Sequence, residues 1–292
     1  MKVLLTGKNG QLGQALQASC PVDVELFAWG REELDLSDAD ACKQAVEILK
    51  PDWVLNAAAY TAVDRAESEP ELAWKVNAEA PKAFSEALAN TGGRLLHVST
   101  DFVFNGKQGY PYTTQQAVDP IGVYGSSKAG GEQAVLETLP AERFCILRTS
   151  WVYGPVGKNF CLTMLRLHAE RGAAGTPLSV VADQVGCPTA TPGLAEACWG
   201  AVKLGLSGMH HWSDAGAASW YDFATAIGVI GAAEGFVPNP AEVKPIRTVD
   251  YPTPAKRPSY SLLDCVETRR ALGIEPKHWQ EALHTVIHLI KS

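Results

Sequence analysis

The chain opens Lys2-Val-Leu-Leu-Thr6-Gly7-Lys-Asn-Gly10-Gln-Leu-Gly13, and the reading of this stretch decides the fold. Residues 2–6 form a short apolar run, as expected of a strand buried on both faces. Three glycines two residues apart follow at once, and a helical segment at residues 14–19 comes next. Gly7, Gly10 and Gly13 permit a tight turn, the close approach of a pyrophosphate and close packing of helix on sheet. The helix N-terminus then offers unpaired N–H groups and positive potential to phosphates.

Outward from this turn, short apolar or β-branched runs recur at residues 24–28, 53–56, 94–99 and 144–148. Helical patterns lie between them at residues 38–49, 71–90 and 125–138, the first beginning at the cap region Asp35-Leu-Ser37. Strand–helix alternation with apolar strands predicts an α/β fold, a Rossmann-type doubly wound parallel sheet with its ligand over the carboxyl ends of the strands. After about residue 150 the regularity drops. Helices are expected at 159–171 and 191–204, a short strand at 179–182, a helix capped at Ser219 and a last amphipathic helix at 279–290. Residues 244–258 hold four prolines and read as a long ordered loop. The expected division is a cofactor-binding domain at 1–153 and a smaller α+β substrate lobe at 154–292, with part of 183–215 returning to the main sheet.

The 292 residues carry a net charge of −7 and no Lys/Arg block, which argues against nucleic acid as a partner. The seven scattered cysteines show no CxxC pair and no metal-type spacing, the pattern of buried, reduced thiols. No segment reaches the roughly 18 apolar residues of a membrane span, and the first residues read as a strand rather than a signal peptide. A cytoplasmic protein without a membrane partner is expected.

Tyr124 and Lys128 lie four residues apart, a spacing that puts both side chains on one face of a helix. An ammonium held beside a phenol favours the phenolate and brings its pKa toward the working range, so the pair could protonate a carbonyl oxygen as hydride reaches its carbon. Strand-end motifs surround the pair. After the second strand comes Trp29-Gly30-Arg31, where a guanidinium suits the 2′-phosphate of NADPH, while Glu32 and Glu33 leave NADH open. Asp35-Leu36 follows, either reaching adenine or capping the next helix. Asn56-Ala-Ala-Ala59-Tyr60-Thr61 puts small residues after the third strand, and Ser99-Thr100-Asp101-Phe102 puts a hydroxyl after the fourth.

A glycine turn, small residues after the third strand, a hydroxyl after the fourth and then Tyr-x-x-x-Lys resembles the plan of the extended short-chain dehydrogenase/reductase family. Asn56–Glu67, Ser99–Gly106, Tyr124–Glu132, Arg148–Gly154, Asp183–Thr189, Ser219–Phe223, Arg257-Pro258 and Trp279-Gln280 extend the resemblance along the chain. RTSWVYG, STDxVF and DQxGxPT resemble the branch that reduces a 4-keto deoxysugar carried on dTDP. The resemblance implies that NADPH delivers hydride to C4 of dTDP-4-dehydro-L-rhamnose, giving dTDP-L-rhamnose for O-antigen and other carbohydrate synthesis. It implies Thr100, Tyr124 and Lys128 as the catalytic set, with Thr100 on the keto oxygen, Tyr124 as proton donor and Lys128 on the nicotinamide ribose. Gly10, Gln11, Leu12, Asp35, Leu36, Ala58, Ala59, Tyr60 and Val98 match cofactor positions. Thr61, Val63, Asp101, Phe102 and Trp151 match substrate positions, Trp151 offering a stacking face. Arg257 is a candidate for the substrate diphosphate or else one half of an ion pair.

Two departures stand out. Phe102 replaces a tyrosine common in the family. Where some relatives dimerise around Mg²⁺ through a glutamate, this chain reads Ala190-Thr191-Pro192, with no carboxylate before Glu196. No metal, and a monomer or weak homodimer, are therefore expected. Two alternatives share the fold: another nucleotide-sugar reductase, 4-epimerase or 4,6-dehydratase, and a binding protein like the regulatory β subunit of methionine adenosyltransferase. The acidic pair that a 4,6-dehydratase needs beside the threonine is missing, since Asp101 is followed by Phe102.

Overall fold

The structure, a computed structural model, describes residues 1–291. The strands and helices run β1 (Lys2–Thr6), α1 (Gln11–Ala18), β2 (Glu25–Trp29), α2 (Ala39–Leu49), β3 (Trp53–Asn56), α3 (Val63–Ala66) and α4 (Pro70–Trp74). A π-helical segment (Lys75–Glu79) leads into α5 (Ala80–Thr91), then β4 (Arg94–Thr100), α6 (Val123–Thr138), β5 (Phe144–Thr149), β6 (Val152–Tyr153) and α7 (Phe160–Ala173). The rest comprises β7 (Leu178–Val181), β8 (Val185–Gly186), β9 (Thr189–Ala190), α8 (Thr191–Leu204), β10 (Gly208–His211), β11 (Ala218–Ser219), α9 (Trp220–Ala233), β12 (Val243–Ile246), α10 (Val266–Leu272) and α11 (Trp279–Lys291).

Six strands form one parallel sheet in the order β10-β5-β4-β3-β1-β2. Strand order reverses between β1 and β3, and such a switch point is where an open α/β sheet leaves a crevice for ligand. The apolar runs divide between the two faces because side chains alternate along a strand. Val3, Leu5, Leu55, Leu96 and Leu147 pack under α1 and α8, whereas Leu4, Val54, Leu95 and Ile146 pack under α2, α5 and α6. Over β1, β3, β4 and β5 both faces are largely buried, which is why those strands read as apolar runs, whereas the outer strands β2 and β10 are only partly covered.

A second core lies beyond the sheet, where α7, α9 and α11 bury Leu165, Phe223, Ile227, Leu283 and Ile287 against Leu178 and Val180 of β7. Three two-stranded ladders, β7–β12, β6–β9 and β8–β11, tie these segments together. Six of the seven cysteines are buried and none is in a disulfide.

Several expected elements differ. Helix α1 starts at Gln11, three residues early, because Gly10 serves as its N-cap. The helix expected at 71–90 is three segments, with the π turn placing Asn77 beside Tyr60, whose N–H donates to Asn77 Oδ1 at 2.8 Å. The proline-rich loop begins with a strand, since Val243–Ile246 pairs in parallel with β7 and Pro245 is tolerated on that two-stranded edge. Asp38 rather than Asp35 caps α2, accepting from the Ala41 N–H at 2.9 Å.

Candidate active site

The glycine turn is shaped by sterics. Gly7 has φ +80°, and a Cβ on Gly13 would lie 2.0 Å from the Gly7 carbonyl oxygen, so α1 can start this close to β1 only without a side chain there. Gly10 at the N-cap brings no side-chain cap, so the first N–H groups of α1 remain directed at whatever sits above the turn. Gly13 lies beneath the turn, while Gly7, Gly10, Gln11 and Leu12 line a cavity of about 960 Å³. Ala58, Ala59, Tyr60 and Val98 from the ends of β3 and β4 line it too, as do Arg31, Asp35 and Leu36 after β2. Bare helix N–H groups, a glycine cradle and small strand-end residues fit a dinucleotide.

Arg31 is four-fifths exposed, and its one ion pair among the described residues, to Asp35, is 3.6 Å long, so its guanidinium can meet a phosphate. Asp35 Oδ1 accepts from the Ser37 N–H at 3.0 Å and the Ser37 hydroxyl at 2.9 Å. These donors, more than Arg31, hold its carboxyl below the usual range. Glu33 is occupied elsewhere: it accepts from the Gly30 N–H at 2.8 Å and pairs with Lys8 at 2.5 Å.

Thr100, Asp101, Phe102, Tyr124, Lys128, Trp151 and Arg257 line the other part of the same cavity, together with Thr61 and Val63. Thr100 ends β4, and its hydroxyl donates to Asp101 Oδ1 at 3.0 Å while accepting from the Phe102 N–H at 3.2 Å. The Phe102 ring meets Tyr124 edge-on, with centroids 5.5 Å apart, which fixes the phenol over the strand ends. Burial pushes the Tyr124 phenol up to about 12; the Thr100 hydroxyl opposes this and the Asp101 charge adds to it.

Lys128 is engaged by groups other than the phenol, and burial rather than a neighbouring ammonium sets the direction of the phenol's shift. The Lys128 Nζ donates to the Val98 carbonyl at 2.8 Å and stands 3.3 Å from His97 Nε2. Burial brings the ammonium down to about 8, against the opposing charge of Glu132. A phenol near 12 is fully protonated at neutral pH, which is the state a proton donor needs.

Asp101 is buried, and burial pushes its carboxyl up to about 6, although the Ser261 and Thr100 hydroxyls favour the ionised form. A folded-state pKa above the unfolded 3.8 means that Asp101 stabilises the fold fully below that value and loses this contribution as pH rises through about 6. Asp101→Asn is therefore expected to raise the melting temperature by a few degrees at pH 8, an effect of roughly 3 kcal/mol at most, and to change it little at pH 4. Thermal melts at the two pH values check this.

At the substrate end, Trp151 takes φ +47°, and its indole stacks on Trp220 at 3.6 Å and 6°. One face expected to be open is therefore covered by an aromatic ring that sequence reasoning missed, although the Ser219 cap had placed its helix. Trp220 lines the cavity and donates from Nε1 to Gln184 Oε1 at 3.2 Å. Arg257 forms a two-point pair with Asp64, at 2.8 Å and 3.1 Å, and also donates to Thr253 and Ala255. A substrate diphosphate would have to compete with that carboxylate.

Comparison with known proteins places this geometry in a family. The family described as RmlD substrate binding domain matches residues 1–292. A dTDP-4-dehydrorhamnose reductase of Sinorhizobium fredii is 39% identical over 98% of this chain and 97% of its own length. The crystal structure of a dTDP-4-dehydrorhamnose reductase from Clostridium acetobutylicum superposes over the whole of both chains with a TM-score of 0.92 at 36% identity. That of the Bacillus anthracis dTDP-4-dehydrorhamnose reductase, in complex with NADP, covers 100% of this chain and 99% of its own at TM-score 0.90 and 34% identity. The match runs along the whole chain in sequence and in fold, and this chain belongs to the RmlD substrate-binding-domain family, alongside these reductases.

Proposed function

We propose that the protein reduces the C4 keto group of dTDP-4-dehydro-L-rhamnose with NADPH, forming dTDP-L-rhamnose. The observation that carries this reading is the convergence of Thr100, Tyr124 and Lys128 with the glycine turn in one cavity, in a chain matching such reductases along its length. NADPH, when bound, supplies the hydride. Gly7, Gly10, Gln11 and Leu12 hold its pyrophosphate at the α1 N-terminus, and Asp35, Leu36, Ala58, Ala59, Tyr60 and Val98 bound the rest of its site. Thr100 donates to the substrate keto oxygen, and Tyr124 gives its proton to the alkoxide that develops there. Lys128 positions the nicotinamide ribose after leaving the Val98 carbonyl. Thr61, Val63, Asp101, Phe102 and Trp151 shape the sugar pocket, and Arg257 reaches the diphosphate by exchanging Asp64 for it.

The division into a cofactor-binding domain at 1–153 and a mainly substrate-binding lobe at 154–292 belongs to this proposal. Helices α8 and α10 and strand β10, all from the later segment, pack with the main sheet. A cytoplasmic monomer or weak dimer without metal completes it. Among the described residues, no helix is long and apolar enough to cross a membrane.

Stoichiometric oxidation of added NADPH by the 4-keto nucleotide sugar tests the activity, because an epimerase or dehydratase recycles its nucleotide and a regulatory subunit oxidises none. Arg31 gives a separate test of cofactor choice. Arg31→Ala is expected to weaken NADPH binding about tenfold and to leave NADH binding unchanged, as read by nucleotide fluorescence titration. Equal loss for both nucleotides would remove Arg31 from the 2′-phosphate site.

A further inference from the structure

Thr6, Asn56 and His97 stand opposite one another in the register of β1, β3 and β4. They follow Leu4, Val54 and Leu95 on the sheet face that α6 covers, and none is more than 1% exposed. Their side chains form one row. The Thr6 hydroxyl donates to Asn56 Oδ1 at 2.6 Å, Asn56 Nδ2 lies 3.0 Å from His97 Nδ1, and His97 Nε2 lies 3.3 Å from Lys128 Nζ. The row ends on a residue of the proposed active site, and no other part of the mechanism uses it.

The hydrogen-bond roles along the row define one consistent set of protons. An amide whose oxygen accepts from Thr6 turns its NH₂ to the ring, and that group can only donate. His97 Nδ1 is therefore the acceptor. Burial, and then the Lys128 charge, hold His97 well below its usual range, so the ring is neutral and carries its single proton on Nε2. That N–H points at Lys128 Nζ. An ammonium has no lone pair to accept it, whereas a neutral amine does. The contact is thus favourable to the uncharged lysine and unfavourable to the charged one.

We propose that His97, locked in its Nε2-protonated tautomer by Asn56 and Thr6, is a positioning residue that sets the pH at which Lys128 gains its charge. Other groups around Lys128 act differently. Glu132, on the same helix, favours the ammonium, but its carboxylate is engaged by Arg148 of β5. Tyr124 lies one helical turn away with Asp101 beyond it, and the π segment contributes the uncharged Asn77 amide, which donates to Ser127. Only His97 both touches Nζ and has a tautomer that another side chain dictates. In the reductase this arrangement would keep Lys128 partly neutral until a negative group arrives in the cavity. That consequence rests on the function proposed above, whereas the tautomer does not.

The test uses the full chain without nucleotide, with ¹⁵N-labelled imidazoles and ¹³Cε-labelled lysine, followed by NMR. His97 is assigned by its loss in His97→Gln or, if that variant does not fold, by its nuclear Overhauser contacts to Lys128. The expected result is a His97 ring that stays neutral and Nε2-protonated from pH 6 to 9. Lys128 is expected to titrate near 8 and to move up by about one unit in His97→Gln, a tenfold change in proton affinity. The alkaline limb of kcat/KM should move with it. A ring protonated on Nδ1, a ring that titrates near its usual value, or a Lys128 titration unmoved in the variant would overturn the proposal. Failure of the protein to oxidise NADPH would instead count against the proposed function, because the NMR readings need no turnover.

Discussion

Tyr124→Phe is expected to lower kcat for the 4-keto nucleotide sugar by at least about 100-fold, with KM and NADPH affinity little changed. The substitution removes one oxygen and leaves the ring, whose edge still packs on Phe102. Burial keeps the wild-type phenol protonated throughout the neutral range, so the lost proton is one that was available in every turnover. Thr100 would still donate to the keto oxygen, which accounts for a residual rate rather than none. Steady-state kinetics with nucleotide titration separates the two quantities. Near-normal turnover would mean that the proton comes from elsewhere, with Asp101, pushed up to about 6, the nearest other acid.

Glu132→Gln is expected to have the largest effect on stability. Glu132 and Arg148 form a two-point pair at 2.6 Å and 2.9 Å with side chains only 3% and 4% exposed, and the Ser99 hydroxyl donates to the same carboxylate. Arg148 also lies over the Phe104 ring, at 5.0 Å. Removing one charge leaves the guanidinium buried without a counter-ion, at a cost of about 3–5 kcal/mol. For a chain of this size that corresponds to a fall in melting temperature of roughly 5–8 °C. Pairing Glu132→Gln with Arg148→Met should recover a good part of the loss, since the double variant buries no unpaired charge. A single variant that melts with the wild type would show that the pair does not hold β5 to α6.

The five leading strands were legible in the sequence to within about a residue, because β1, β3, β4 and β5 are apolar runs buried on both faces and the half-buried edge strand β2 still carries Leu26, Phe27, Ala28 and Trp29. Strand β10 was not: Gly208-Met-His-His211 reads as polar, and only its pairing with β5 buries His211. Helix α10 was hidden by its seven residues, two of them arginines. The π turn was invisible because Lys75–Glu79 has ordinary helical composition, and its reason for existing is the Asn77 bond to the Tyr60 backbone. A parallel sheet brings all its carboxyl ends to one edge, so motifs at successive strand ends had to meet, and residues from Gly7 to Arg257 line one cavity. The direction of Lys128 could not be foreseen. Its Nζ meets the Val98 carbonyl and His97, which sits inside an apolar run two residues before Ser99 and whose partners, Thr6 and Asn56, come from two other strands.

The central claim is that this cavity transfers hydride to C4 of a dTDP-linked 4-keto sugar. Incubating the protein with dTDP-4-dehydro-L-rhamnose and NADPH deuterated at the hydride-donating position of the nicotinamide tests it most directly. The predicted product is dTDP-L-rhamnose with one deuterium on C4 and one NADPH oxidised per sugar, read by NMR and mass spectrometry. Unlabelled product, or NADPH left intact beside unchanged keto sugar, would contradict the account.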